Sequence, residues 1–365
     1  MKIASIISCL ETAADPSYQE DYDNTGLLTG SSDWECSGIL LALDATASIV
    51  QEAIQRKCNL VIAHHPIIFT GLKKINEKNY IGQAIIPAIK NDIAIYAIHT
   101  NLDNVLNGVN GRIADKMGLV NRRVLLPRPS TLRKLYTFVP FAEAEQVRTA
   151  LFKAGAGHIG NYSEVSFNTE GTGTYTPGEG SHPYKGDQGQ RHEEKEIRIE
   201  VIFPAQLQPS IVEALIRSHP YEEIAYDLVS LENTQTSHGS GLLGDLPEPA
   251  NEVDFLARIK SVFGLSLIRH TRLTGRPVFR VAVCGGAGNF LISKALAAGA
   301  DFFITADVKY HEFFDAEDSL VLADIGHFES EQFTIDLLYD LLLKKFPTFA
   351  VLKPVSNTNP VHYYF

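Results

Sequence analysis

The amino-acid sequence predicts an α/β protein in which one α/β domain is split in two by an inserted α+β module. Three observations carry this. Residues 38–129 alternate continuously apolar segments with amphipathic ones. The same rhythm returns from Phe279. Between 130 and 233 the order of elements changes and a long Gly- and Pro-rich stretch intervenes. An unbroken Val/Ile/Leu run marks a strand covered on both faces, and strands of that kind alternating with helices form a mostly parallel sheet. At 365 residues, 45% hydrophobic and 21% charged, the chain has an ordinary globular composition and is long enough for two cores.

In the opening MKIASIISCLETAA, Ile3, Ile6, Ile7 and Leu10 fall at helical spacing and Glu11 interrupts the apolar run. This predicts an amphipathic helix of the mature chain and not a signal peptide. From Gly38 follow strand GILLALD, helix TASIVQEAIQRK, strand NLVIAHH, helix IGQAIIPAIKN, strand IAIYAI with HTNLD in the loop behind it, and helix GVNGRIADKMGL. The middle reads as strands LRKLYTFVP, IGNYSEVSFN, KEIRIEVIFP and IAYDLVSL around helices AEAEQVRTALFKAG and PSIVEALIRSHP, the order of a ferredoxin-like split βαβ. Composition predicts a loop for GTGTYTPGEGSHPYKGDQGQ. The last part gives strands FRVAVCGGAGN, ADFFITAD and SLVLADIGHF, helices FLISKALAAG, VKYHEFFDAE and ESEQFTIDLLYDLLLKK, and NPVHYYF as a final strand. The predicted domains are therefore 1–129 with 234–365, and an inserted 130–233.

The formal charge of −11 opposes binding to a polyanion, which needs clustered Lys and Arg, so a nucleic-acid partner is not expected. A small anionic substrate remains compatible, because a local metal charge outweighs the global field. Cys9, Cys36, Cys58 and Cys284 are scattered without a CxxC pair, which argues against a disulfide framework or a thiolate zinc site and for reduced thiols in a cytoplasm. No segment approaches the roughly 20 apolar residues of a membrane-spanning helix.

The chemistry is concentrated in five residues. His64 and His65 end the strand NLVIA, Asp103 follows IAIYAI, and His327 follows SLVLADI. Ligand sites in open α/β sheets lie beyond the carboxyl ends of the strands, which puts all four on one edge. Glu331 lies four residues after His327, on the same face of a helix. Three imidazoles and two carboxylates exceed the donor set of one catalytic zinc and suit two divalent ions, with Asp103 or Glu331 as the bridge. Adjacent side chains of a strand point to opposite faces, so His64 and His65 would each serve a different ion. The donors fit Zn, Fe, Mn, Co or Ni. Two such ions against two carboxylates leave an excess of about two positive charges, which favours a metal-activated water, an anionic or carbonyl substrate, and hydrolysis.

Other residues carry two readings each. His99 is a ligand, a proton shuttle or a histidine bonded to loop backbone. Asp324 orients His327 or caps a helix, and His311 stands near the same edge. CGGAGN is an anion cradle or a tight turn. Cys284 is a nucleophile or a buried small hydrophobe. His158, His219 and the two glutamates of HPYEE are expected in solvent or at a subunit contact.

The motifs DNTGLLTG, LALDAT, LVIAHHPIIF, HTNLDNVLNGVN, VAVCGGAG, DFFITADVKYHE and DIGHFESE resemble the Nif3-like family over nearly the whole chain. Its bacterial members are often named GTP cyclohydrolase 1 type 2 homologues. AGAGHIGNYSEVSF and HPYEEIAYDL are similar to the PII/CutA-like ferredoxin-type module of the longer members. The resemblance implies that His64, His65, Asp103, His327 and Glu331 bind two metals, that the chain assembles as a homohexamer, and that opening of a purine imidazole ring is a candidate reaction. Ala306 and Gly111 depart from the family pattern. Two function classes follow: a dinuclear metal hydrolase, and a non-enzymatic metal-containing scaffold whose module senses a ligand.

Overall fold

The computed structural model describes residues 1–129, 132–233 and 237–364. The chain divides into two compact units, Met1–Pro127 with Thr236–Phe365, and Arg128–Gln235. The expected junctions reach residues 130 and 234, which lie outside the described residues.

The first unit opens with α1 (Ile3–Ala13), β1 (Gly26–Thr29), β2 (Ile39–Asp44), α2 (Ala47–Gln55), β3 (Leu60–His65), α3 (Tyr80–Lys90), β4 (Ala94–Ala97), α4 (Thr100–Asp103), α5 (Val109–Met117) and β5 (Val120–Pro127). The second unit contains β6 (Leu132–Pro140), α6 (Ala144–Lys153), β7 (Ser166–Tyr175), β8 (His192–Pro204), α7 (Gln208–Ser218) and β9 (Tyr226–Leu231). The first unit then resumes with β10 (Gly239–Ala250), α8 (Glu252–Phe263), β11 (Arg269–His270), β12 (Val278–Ala287), α9 (Ile292–Ala297), β13 (Phe302–Ala306), β14 (Val321–Asp324), α10 (His327–Glu331), α11 (Thr334–Lys345) and β15 (Val351–Leu352).

The first unit contains two sheets and not the single edge expected from the sequence. One has the order β1-β4-β3-β2-β15, parallel apart from β1; the other has the order β11-β14-β13-β12-β10-β5, with β12, β13 and β14 parallel. Strand alternation explains why both read as continuous apolar runs. Ile39, Leu41, Leu60 and Ile62 face a core shared with Val281, Val283, Phe302 and Ile304 of the other sheet, into which α1, α5, α8 and α11 also pack. Leu40, Ala42, Val61 and Ala63 point the opposite way, under α2 and α3. The outer face of the second sheet is covered by α9 through Ile292 and Ala295. Each sheet thus ends its parallel strands at a common place.

Several elements differ from the sequence reading. β1, β5, β10 and α8 were not anticipated, because GLLT is short and β10 carries five Gly or Pro within its span. HTNLD is not a loop: Thr100–Asp103 forms one helical turn, fixed by the Asn101 amide donating to the Ala14 carbonyl (2.8 Å). NPVHYYF is not a strand; the last strand is Val351–Leu352, and residues 353–364 run on without sheet pairing, with Phe365 outside the described residues. Asn357 Oδ1 accepts from the Asn359 N–H (2.9 Å) and Asn359 Oδ1 from the Val361 N–H (3.0 Å), and these two side chains turn the tail instead of extending it. No helix among the described residues is long and apolar enough to cross a membrane.

In the second unit the antiparallel sheet runs β7-β8-β6-β9. Its elements follow the β-α-β-β-α-β order. Leu135, Val139, Ile199, Val201 and Phe203 pack against Val147, Leu151, Ile211 and Leu215 of the two helices. Gly171–Tyr175, predicted as loop from its glycines, belongs to β7 and pairs with residues 192–196 of β8.

Candidate metal centre

The five singled-out residues meet at the carboxyl ends of both sheets. His64 and His65 close β3, Asp103 closes the turn behind β4, and His327 and Glu331 are the first and last residues of α10 behind β14. Glu331 lies at the centre and is 2% exposed. Its Oε2 is 2.9 Å from His65 Nε2 and 3.1 Å from His327 Nε2, while its Oε1 is 3.7 Å from His64 Nε2. His64 Nε2 is also 3.6 Å from Asp103 Oδ1. The donors form two groups that could hold a metal ion, His65/His327/Glu331 and His64/Asp103/Glu331, and the Glu331 carboxylate is common to both. Of the two bridges left open by the sequence, Glu331 has the geometry for it. The two adjacent histidines address different oxygens of that carboxylate, with their ring centroids 4.9 Å apart.

The orientation of each ring is fixed from behind. His64 Nδ1 is 2.8 Å from the Ile98 carbonyl, His65 Nδ1 is 2.9 Å from Asp44 Oδ1, and His327 Nδ1 is 2.7 Å from Asp307 Oδ2. A carbonyl and an ionised carboxylate only accept, so each Nδ1 donates and each Nε2 is turned to the centre. Asp44 lies beside His65 in the β2–β3 register and is itself held by the Thr358 hydroxyl (2.8 Å). Asp307 follows β13 and adopts φ +55°, a left-handed conformation that Asp tolerates better than most residues. Sequence reasoning missed both aspartates. The available signal was an Asp at the carboxyl end of a strand, in LALDAT and ITAD.

The electrostatics match a place built for positive charge. Burial opposes the charged form of His65, yet Asp44 and Glu331 outweigh it and push its pKa up to about 10. For His327, burial is likewise overcome by Asp307 and Glu331, and its pKa rises to about 11. Burial would raise Glu331, but the facing imidazoles of His327, His64 and His65 hold it well below the usual carboxylate range. Asp103 goes the other way, raised by its burial. His64 Nε2, Asp103 Oδ1 and Glu331 Oε2 are buried and take no hydrogen bond. Orphaned buried polar atoms are costly, and three converging on one point suit a bound cation.

These features lie over a chain whose residues 1–360 match the family model Duf34/NIF3 (NGG1p interacting factor 3). The chain belongs to the DUF34/NIF3 family. It is 42% identical over 332 residues to a Halalkalibacterium halodurans protein named GTP cyclohydrolase 1 type 2 homolog, covering 90% of this chain and 89% of that one. A Bacillus subtilis protein of the same name is 38% identical over 325 residues, 88% of this chain and 87% of that one. Among solved structures, a Bacillus cereus protein related to NIF3 superposes with a TM-score of 0.85 at 38% identity, covering 100% of this chain and 99% of that one.

In this DUF34/NIF3 chain the remaining candidates separate clearly. His99 joins His64 and His65 in a third donor group, and its Nδ1 is 2.8 Å from Asp23 Oδ1. Burial would raise the Asp23 carboxyl, but bonds from His99 and Thr100 bring it down to about 2. His99 therefore faces the centre from a carboxylate support of the same kind as His65 and His327. Asp324 does not orient His327; it accepts from Arg269 (3.0 Å) and from the backbone N–H of Val308 and Gly326 (both 3.1 Å). His311 is exposed, against the ring of Tyr310, and stands outside the cluster.

The glycines of CGGAGN make room and do not cradle an anion. The Gly285 N–H is taken by Asn110 Oδ1 and the Gly286 N–H by Ser330 Oγ (both 2.9 Å). A Cβ on Gly286 would lie 2.4 Å from Glu331 Oε1. Gly111 has a similar role in α5, where a Cβ would meet the Leu106 carbonyl oxygen at 2.4 Å. Cys284 is 7% exposed, and burial together with Asp103 and Glu331 pushes its thiol far up, so it stays protonated and is a poor nucleophile. In front of the cluster lies a cavity of about 700 Å³ whose walls include Tyr22, Phe69, Phe290, Tyr363 and Arg269.

Proposed function

We propose that this chain is a dinuclear metal-dependent hydrolase acting on a small anionic, nucleotide-like substrate. The observation that carries the reading is the single buried carboxylate of Glu331 shared between two donor groups. Two divalent ions would supply Lewis acidity and a water that loses its proton near neutral pH. The chain's own residues would do the rest. Asp44, Asp307 and the Ile98 carbonyl hold the imidazoles rigid. Tyr22, Phe69, Phe290 and Tyr363 offer ring faces to a flat heterocycle, and Arg269, half-exposed, offers a cation to an anionic group. The name carried by the Halalkalibacterium and Bacillus subtilis relatives makes GTP the first substrate to try, with opening of its imidazole ring as the first reaction. Assembly into a homohexamer is part of the same proposal and is read by light scattering.

The test is anaerobic loading of the purified protein with Zn, Fe, Mn, Co or Ni, followed by a screen of GTP, other nucleotides and phosphoesters. Turnover should require two ions per chain and be lost in both Glu331→Gln and His65→Ala. A protein that holds two ions and turns over none of these compounds refutes the hydrolase; one that holds no metal refutes the centre.

A further inference from the structure

The second unit contains a cavity of about 650 Å³ that the metal chemistry does not use. It lies on the face of the sheet away from α6 and α7. Along β8, Ile197, Ile199, Val201 and Phe203 point to the helices, so Glu196 and Arg198 point to the opposite, uncovered face. Glu196 is nevertheless only 8% exposed. What covers it is a segment read from sequence as an open loop. Gly171 lies directly across from Glu196 in the β7–β8 register, and Gly173 and Tyr175 follow on the same face. A Cβ on Gly173 would stand 2.2 Å from Glu196 Oε2, so this floor exists only because the strand carries glycine there.

The walls are aromatic. Tyr221, of the HPYEE motif, donates its hydroxyl to Glu196 Oε1 (2.8 Å), and its ring lies 5.9 Å from that of Tyr175 and 6.1 Å from that of Tyr184. The segment above is tied down. The Tyr175 hydroxyl donates to the Lys185 carbonyl (3.0 Å), Gly189 N–H to the Pro177 carbonyl (2.8 Å), and His182 N–H to Glu222 Oε1 (2.8 Å). His219, expected in solvent or at a subunit contact, is buried and bonds the Phe138 carbonyl through Nε2 (3.0 Å) and the Tyr221 N–H through Nδ1 (3.1 Å), which sets the turn that presents Tyr221.

The charge of the lining is one-sided. Glu170, Glu196, Glu222 and Glu223 face a single cation, Arg198, among the described lining residues. Arg198 is already engaged by Glu200 (3.1 Å) and by the Tyr136 ring (4.6 Å). Glu196 Oε2 takes no hydrogen bond among the described residues and opens on the cavity. A nine-tenths-buried carboxylate below three tyrosine rings is the chemistry that recognises a desolvated organic cation, through a charge-assisted bond at the base and ring faces at the sides. The volume lies in the range of small-molecule sites.

We propose that this cavity binds a small organic cation, an amine, guanidinium or quaternary ammonium group, over Glu196 and between Tyr175, Tyr184 and Tyr221. Isothermal titration calorimetry of the full chain with choline, agmatine and tetramethylammonium tests it, with the neutral choline isostere 3,3-dimethyl-1-butanol as control. At least one cation should bind, with the neutral isostere about tenfold weaker or worse. Glu196→Gln, which keeps the shape, should lose about tenfold. Tyr184→Leu, at a half-exposed ring whose hydroxyl donates to Glu143 (2.7 Å), should lose several-fold. Removing metal with a chelator should change nothing, which separates this site from the centre. Absence of binding by all three cations up to about 10 mM overturns the proposal. So does equal binding of the isostere, or undiminished binding in both Glu196→Gln and Tyr184→Leu. Should Glu196→Gln not fold, Tyr184→Leu alone decides.

Discussion

Asp307→Asn isolates one half of the centre. The Asp307 carboxylate bonds His327 Nδ1 at 2.7 Å, its side chain is 52% exposed, and among the described residues it makes no hydrogen bond or ion pair with His64 or Asp103. Asn tolerates the left-handed backbone at this position, so the substitution adds little strain and leaves the fold intact. What is lost is the charge that holds the His327 ring and makes its Nε2 a better donor. Partners of this kind are worth about 10–100-fold in metal affinity, or about 1.4–2.8 kcal/mol. Only the group His65/His327/Glu331 should suffer; the group His64/Asp103/Glu331 keeps its support at the Ile98 carbonyl. Competition titration against a chromophoric chelator, with metal content read by mass spectrometry, should show one ion weakened by that factor and the other held as in the parent. Equal loss of both ions, or no loss of either, refutes the division of donors argued above. A fall in melting temperature of the metal-free protein would show that Asp307 acts through the fold.

Three further outcomes are expected. Gly286→Ala places a Cβ 2.4 Å from Glu331 Oε1 on a backbone at φ +64°, so it should cost about 1–2 kcal/mol and abolish metal binding; Gly264→Ala, at φ +66° with nothing within 4 Å, should cost a similar amount and leave metal content unchanged. Cys284→Ala should keep metal and turnover, because a protonated buried thiol does no nucleophilic work; loss of turnover with metal retained would reverse that assignment. Glu52 accepts from Arg56 (2.7 Å) and from the backbone N–H of Val355 (2.9 Å) and Ser356 (3.0 Å), and although burial opposes it these bonds lower its pKa from 4.5 to about 2. Its folded pKa is depressed, so the stability it contributes, about 2–4 kcal/mol, is present above pH 4.5 and lost as pH falls toward 2. The denaturation midpoints of parent and Glu52→Gln should converge over that window, and a gap independent of pH would contradict the linkage.

The parts of the fold visible in the sequence were those with a strong local period. Strands buried on both faces, such as Leu60–His65 and Phe302–Ala306, announce themselves as apolar runs, and α1 does so by its 3–4 spacing. What escaped notice depends on partners far along the chain. β10 tolerates Gly and Pro because it is held between β12 and β5, and Gly171 and Gly173 sit in a strand because β8 pairs with them. The glycines of β7 were composition evidence for a loop, yet at Gly173 the reason is the Glu196 carboxylate beneath it. Likewise Asp44 and Asp307 carry no local mark that distinguishes them from a helix cap; their role exists only through His65 and His327.

The two aspartates also explain how one centre arises from two sheets. In each sheet a carboxylate ends one parallel strand and a histidine follows the strand beside it: Asp44 of β2 with His65 of β3, and Asp307 after β13 with His327 after β14. Each half thus positions its own imidazole locally, before the other half is present. Glu331 is the exception, since it comes from the second sheet's side and reaches both histidines of β3. Its carboxylate is 2% exposed, and the charge it would lack from solvent comes from His64, His65 and His327 or from ions that they would hold. A cation held at this carboxylate would therefore couple the docking of the two sheets to its own binding. Whatever binds there contributes its binding free energy to the shared core of Ile62, Leu41, Val283 and Ile304 as well as to the chemistry.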